Sequence, residues 1–234
     1  MTRLGYSLLA AALAWPASVL AADAPDAPDA RGAALDARHA ECLERIAEDQ
    51  ELALEEAMIW RDQGGGRRAR HCEAMALFAL GYEGEAASRL DALAAGGSGG
   101  GEEQRVQLHL EAAQMWLAAG EASRAYASAT AGLDMDEDHA EMRIARARAY
   151  ALSGRADYAE TDLSTVLAYH PRHAAALRYR ADARLRQGRL DGALDDAERS
   201  LQIDATSVET ALLRGRIREA QRLADTQPGS DDAP

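Results

Sequence analysis

The sequence predicts an all-α fold, an α-solenoid of stacked helix pairs. Three observations carry that prediction. Glycines fall at Gly120, Gly154 and Gly188, 34 residues apart both times. An alanine stands seven residues before each (Ala113, Ala147, Ala181), another five after (Ala125, Ala159, Ala193) and a leucine thirteen after (Leu133, Leu167, Leu201). The composition agrees: alanine is abundant, β-branched residues are sparse and aromatics make up 5% of the chain, which favours helix over sheet. A fixed period of this length marks a repeated supersecondary unit that cannot bury its apolar face alone and stacks on its neighbours.

The elements follow in order. The chain opens MTRLGYSLLAAALAWPASVLAADAPDAPDA, with Arg3 before an apolar run from Leu4 to Leu20 and small residues after it. Val19 and Ala21 fit the −3 and −1 positions of a secretory cleavage site, so residues 1–21 are expected to be a cleaved signal peptide. An uncleaved N-terminal anchor is the alternative; the run is short for a membrane span and contains Pro16. Export, to the bacterial periplasm given the GC-rich composition, follows from this reading, as does no membrane insertion after cleavage. Residues 22–34 read as a Pro- and Asp-rich linker with nothing to bury. Residues 35–95 read as N-terminal helix pairs, one over 36–62 and one over 67–95, where Ala74, Gly81 and Ala86 keep the small-residue spacing. GGSGGGEEQ (96–104) is a flexible Gly-rich loop. Three full repeats follow, over 106–139, 140–173 and 174–207. Residues 208–224 form a capping helix with an Arg-rich face, and 225–234 a disordered tail.

In each repeat the glycine ends the first helix, where a left-handed C-cap costs least without a Cβ. The two alanines sit where the helices cross and let the backbones approach. The three units VQLHLEAAQMWLAAGEASRAYASATAGLDMDEDH, AEMRIARARAYALSGRADYAETDLSTVLAYHPRH and AAALRYRADARLRQGRLDGALDDAERSLQIDATS resemble the tetratricopeptide repeat (TPR). The family's proline after the second helix is kept as Pro171 and replaced by Glu137 and Ala205; its aromatic at position 11 is kept as Trp116 and Tyr150 and lost at Arg184. The resemblance implies a right-handed solenoid whose concave groove, lined by positions 2, 5, 9, 12 and 13 of each first helix, binds a protein or peptide segment. Those positions hold Gln107, Leu110, Gln114, Leu117 and Ala118, then Glu141, Ile144, Arg148, Ala151 and Leu152, then Ala175, Arg178, Asp182, Leu185 and Arg186; the capping helix adds Leu212 and Arg216. The expectation is that Arg148, Arg178, Arg186 and Arg216 receive an acidic or C-terminal carboxylate group of the partner, over an apolar floor of Leu110, Leu117, Ile144 and Leu185. Against it stands pairing of these arginines with Asp182 and Glu141, which would leave a merely soluble surface. The Lys- and Asn-based carboxylate clamp of some chaperone-binding TPR proteins does not carry over, since the chain has neither residue.

Charge and motifs narrow the function. The net charge of −13 excludes a general nucleic-acid binder. The acidic excess lies wholly in residues 1–138, with 11 Arg against 24 acids, whereas 139–234 balance 15 against 15. Cys42 and Cys72 fall on first helices of adjacent units: either a disulfide stapling the N-terminal unit to its neighbour, or two buried thiols too far apart to bond. The six histidines show no metal or nucleophile spacing and read as capping and surface residues; His71 and Cys72, neighbours on one helix, point about 100° apart. The run DMDEDH (134–139) lacks the glycine and terminal glutamate of a calcium loop. The chain therefore reads as non-catalytic, without metal or cofactor: a scaffold or adaptor for protein–protein interaction in the cell envelope. The alternatives are an accessory subunit of an envelope enzyme or assembly system, and a solenoid that self-associates through its open ends.

Overall fold

The computed structural model describes residues 27–226. The expected signal peptide and the last eight residues lie outside the described residues. Eleven helices make up the described chain: α1 (Ala27–Glu48), α2 (Gln50–Asp62), α3 (Gly66–Ala79), α4 (Glu83–Ala95), α5 (Glu102–Ala118), α6 (Ala122–Leu133), α7 (Ala140–Leu152), α8 (Ala156–Tyr169), α9 (Ala174–Arg186), α10 (Leu190–Ile203) and α11 (Val208–Thr226). They pair as α1/α2 through α9/α10, with α11 closing the C-terminal end. Substantial packing is confined to helices one or two places apart in the chain, which makes the molecule an α-solenoid.

The repeat frame explains each corner. Gly81, Gly120, Gly154 and Gly188 all lie in the left-handed region, with φ of 83°, 75°, 75° and 72°. At Gly120 the next amide, Glu121 N–H, donates to Trp116 C=O at 2.9 Å and Gly120 N–H to Leu117 C=O at 3.2 Å. The same pair of bonds recurs as Arg155 to Tyr150 with Gly154 to Ala151, and as Arg189 to Arg184 with Gly188 to Leu185. This doubled bond satisfies carbonyls that a helix end otherwise leaves open and turns the chain sharply into the second helix. The crossing alanines Ala113, Ala147, Ala181, Ala125, Ala159 and Ala193 are buried to 1% exposure or less. Leu133 and Leu167 are buried; Leu201 is only half-buried, because it lies at the end of the array where just α11 covers it.

Buried ion pairs repeat with the same period. Arg146 on α7 makes a two-pronged bond to Asp162 on α8, at 2.8 and 2.7 Å. Thirty-four residues on, Arg180 on α9 grips Asp196 on α10 at 2.7 and 2.8 Å, and Arg184 adds a third bond at 2.8 Å. The Asp196 side chain is fully buried.

Three boundaries differ from the sequence expectation. The Pro/Asp-rich segment is not a linker throughout: α1 begins at Ala27. Pro28 falls in the first turn, where its missing N–H has no intrahelical partner to lose, and the alanine-rich stretch behind it propagates the helix. The Gly-rich loop is shorter, 96–101, because Glu102 and Glu103 start α5 and favour its N-terminal dipole. The capping helix runs to Thr226, two residues into the expected tail.

Candidate functional site: the concave groove

The groove is built by the first helix of each pair, and the structure divides the expected site residues into three groups. Arg148 on α7 and Arg178 on α9 form no ion pair among the described residues; both rest on the Tyr179 ring, with guanidinium carbons 5.2 and 4.3 Å from its centroid. A cation against an aromatic face keeps its charge while losing part of its hydration. Arg186 and Arg216 are different. Arg186 donates to Asp182 at 2.6 Å, and Arg216 lies 3.6 Å from the same carboxylate. Asp182 thus sets one negative charge against the two outer arginines, closest to Arg186, whereas the inner two have no carboxylate within ion-pair distance among the described residues. Glu141 engages no groove arginine; it lies 2.8 Å from His173 Nε2.

The apolar floor needs correction. Leu110 and Ile144 do not reach the groove: they are 7% and 4% exposed, Leu110 packed with Val106, Leu133 and Met142, Ile144 with Leu163, Leu167 and Leu177. In these two units the apolar side chain at position 5 packs into the core, whereas Arg178, at the same position of the third unit, stays half-buried on Tyr179. Leu185 is half-buried against Ala181, Leu213 and Ile217 at the α9–α11 contact. Leu117 does line the groove, together with Leu152, which is 50% exposed. These two, with Leu163, Tyr179, Arg148 and the Asp182–Arg186 pair, bound a cavity of about 220 Å³. Gln114 is exposed on α5, one turn before Leu117. Tyr179, at position 6, lay outside the expected set. The signal that could have found it is the aromatic set between Arg178 and Arg180 on a first helix.

The N-terminal end of the groove has another character. A cavity of about 750 Å³ is bounded by His39 from α1, Arg67 and His71 from α3, Gln107 and Glu111 from α5, and His139. His39 Nε2 and His71 Nδ1 are 2.9 Å apart, and His71 Nε2 lies 2.8 Å from Glu111. Burial, then the neighbouring His71, Arg67 and Arg68, depress the His39 imidazole to about 4. Burial works to raise Glu111, but hydrogen bonds from His71 and Gln107 outweigh it and hold the carboxyl below its usual range. His139 and His173 cap α7 and α9, each Nδ1 accepting from the amide three residues on at 3.3 Å. His109 departs from the surface expectation: it is buried beside Asp91, which also accepts from Trp116 and Ser128. Among the described residues there is no group of three or more His, Cys, Asp or Glu placed to hold a metal.

Cys42 on α1 and Cys72 on α3 are joined by a disulfide, with Cα atoms 6.3 Å apart.

The fold and groove define a class, the helix-pair solenoid with a concave binding face. Comparison makes the class specific: this is the tetratricopeptide-repeat fold. A thermophilic TPR protein of Thermus thermophilus is similar over 79% of this chain and 99% of its own, with a TM-score of 0.55 and 20% identity. YrrB, a TPR protein described as having an unusual peptide-binding site, is similar over 74% and 87%, with a TM-score of 0.56 and 14% identity. In sequence the chain is 29% identical over 128 residues to mouse DnaJ homolog subfamily C member 3, a match that spans 55% of this chain and 25% of that protein. No family model matches.

Proposed function

We propose that the protein is a non-catalytic scaffold of the bacterial cell envelope that holds an acidic segment or C-terminal carboxylate of a partner protein in its concave groove. The observation that carries this is the pair Arg148 and Arg178, without carboxylate partners among the described residues and held on Tyr179 beside a cavity lined by Leu117, Leu152 and the Asp182–Arg186 pair. Two fixed guanidinium groups offer charge-assisted bonds to a carboxylate, and Leu117 and Leu152 take the neighbouring apolar side chain. The YrrB neighbour, with its peptide-binding site, supports the use of this fold for a peptide. An exported location rests on the signal-like residues 1–21 and accords with the Cys42–Cys72 disulfide, which persists in oxidising compartments.

The test is capture from an envelope extract by immobilised full chain in salt-matched buffer. Arg148→Glu with Arg178→Glu is expected to lower recovery of the captured partner about tenfold or more, roughly the loss of one charged hydrogen bond. Arg172→Glu, an exposed site, serves as the control. Equal recovery by the double variant sinks the groove reading.

A second reading has its own observation. In the repeat frame α11 is the first helix of a further unit, and Gly215 stands where Ala113, Ala147 and Ala181 are covered by a second helix. A Cβ at Gly215 would meet nothing within 4 Å, and Val208 and Leu212 are each 66% exposed. Self-association through this end would show as a concentration-dependent mass in light scattering that Leu212→Glu abolishes; a monomer throughout removes it.

A further inference from the structure

Helix α1 is attached unlike any other first helix. Its partly buried stripe, Gly32, Leu35, His39, Cys42 and Ile46, contains no fully buried residue, whereas α3 buries six. What ties it to α3 is polar or covalent: Asp36 accepts from Arg68 at 2.5 Å, His39 meets His71, and Cys42 is bonded to Cys72. Its apolar share is small, Leu35 and Cys42 against the cluster of Ala57, Trp60, Ala69 and Cys72. With so little buried surface, the covalent tie decides whether α1 stays docked.

The two cysteines are not equally placed. Cys72 is wholly buried. Cys42 is half-buried and lines a cavity of about 330 Å³ between α1 and α2, with Arg38, Arg45 and Trp60 on its walls. Arg38 stacks on Trp60 at 4.8 Å, while Arg45 is shared with Glu48 and Glu56. Glu41 and Glu56 share those walls, so the two arginines balance the two acids and an incoming thiolate meets no net negative charge there.

We infer that Cys42–Cys72 is a thiol–disulfide exchange site, attacked at Cys42 by a dithiol reductant, and that its reduction releases α1 from the N-terminal end of the groove. One sulfur of the dithiol bonds to Cys42 Sγ; the Cys42–Cys72 bond breaks, and its electron pair leaves on Cys72, which takes a proton. The second sulfur then attacks the first, and Cys42 departs and takes the other proton. Two electrons and two protons pass to the cysteines, and the dithiol becomes a cyclic disulfide. Once α1 leaves, its wall of the 750 Å³ cavity goes with it, and His71 and Glu111 face the open groove.

The test uses the full folded chain. Brief exposure to glutathione, quenched in acid and mapped by mass spectrometry, is expected to place the adduct on Cys42 over Cys72 by about tenfold or more. After dithiothreitol, amide exchange over residues 30–48 is expected to accelerate about tenfold or more while α5–α10 keep their protection. An adduct on Cys72, a disulfide that survives dithiothreitol in the folded protein, or unchanged exchange in α1 after reduction would each overturn the inference. Because partner capture plays no part in these readouts, their failure leaves the groove reading standing, and the reverse holds too.

Discussion

At the scale of single residues, the strongest structural commitments are the periodic ion pairs. Asp196 is enclosed completely and receives three bonds from Arg180 and Arg184, so its charge is tolerable only with both partners present. Asp196→Ala leaves Arg180 without a carboxylate and Arg184 with Glu160 alone, and is expected to cost about 3–5 kcal/mol, read as a lowered urea midpoint. Asp195→Ala, one position away on the exposed side, is expected to change stability by less than about 0.5 kcal/mol. Equal effects would contradict the assignment of Asp196 as a keystone of its repeat. Neighbours one residue apart thus differ completely, and sequence alone could not rank them. The run Asp195-Asp196 reads as an acidic face until the 16-residue offset from Arg180, matched by Arg146 and Asp162, is seen in three dimensions. The groove arginines show the same limit. Their positions were legible from the repeat frame, but which of them Asp182 would reach depends on side-chain reach across two helices. Tyr179 was missed because position 6 lies outside the groove set inferred from the family.

At the scale of elements, the helix pairs were legible because glycine and alanine at a period of 34 leave the chain few alternatives. The exceptions have local causes. Apolar residues at position 5, Leu110 and Ile144, were read as groove floor, yet the close crossing at Ala113 and Ala147 turns them into the core. Helix α1, whose start inside a Pro-containing segment went unread, also carries a pH dependence. His39 is neutral in the folded state down to about 4, whereas the unfolded chain takes up its proton near 6.5. The charged and titratable groups facing it are Asp36 on its own helix and Arg67, Arg68 and His71 on α3, with Glu111 beyond His71 on α5. Between those two values the unfolded state binds the extra proton, so the His39 contribution to α1 docking is intact above about 6.5 and is lost as pH falls toward about 4. Amide exchange across α1 should therefore accelerate over this window after correction for intrinsic rates. His39→Gln should flatten the profile; an unchanged profile in that variant would assign the effect to other groups.

At the scale of the whole molecule, stability is distributed along one dimension, since each helix pair leans only on its neighbours. The interior pairs α5/α6 and α7/α8 are covered on both sides. The ends are covered on one, α11 with its open Gly215 face and α1 with its polar ties. Leu177, fully buried on α9, packs against Ile144, Leu163 and Leu167 of the preceding pair and so sits on the joint between the central and C-terminal units. Leu177→Ala should cost about 2–5 kcal/mol at that joint. In a globule with a single core such a cavity weakens every element together; in a solenoid it weakens the coupling between two segments. Amide exchange is therefore expected to rise first over α9, α10 and α11 while α3 through α6 remain protected. A uniform loss of protection along the chain would mean that the array unfolds as one cooperative block. The groove would then have to be treated as a single rigid surface, because Arg148 and Arg178 lie on opposite sides of this joint. If the segments separate instead, the spacing of the two arginines is set by the Leu177 interface, and the same substitution should weaken partner capture while both guanidinium groups remain in place.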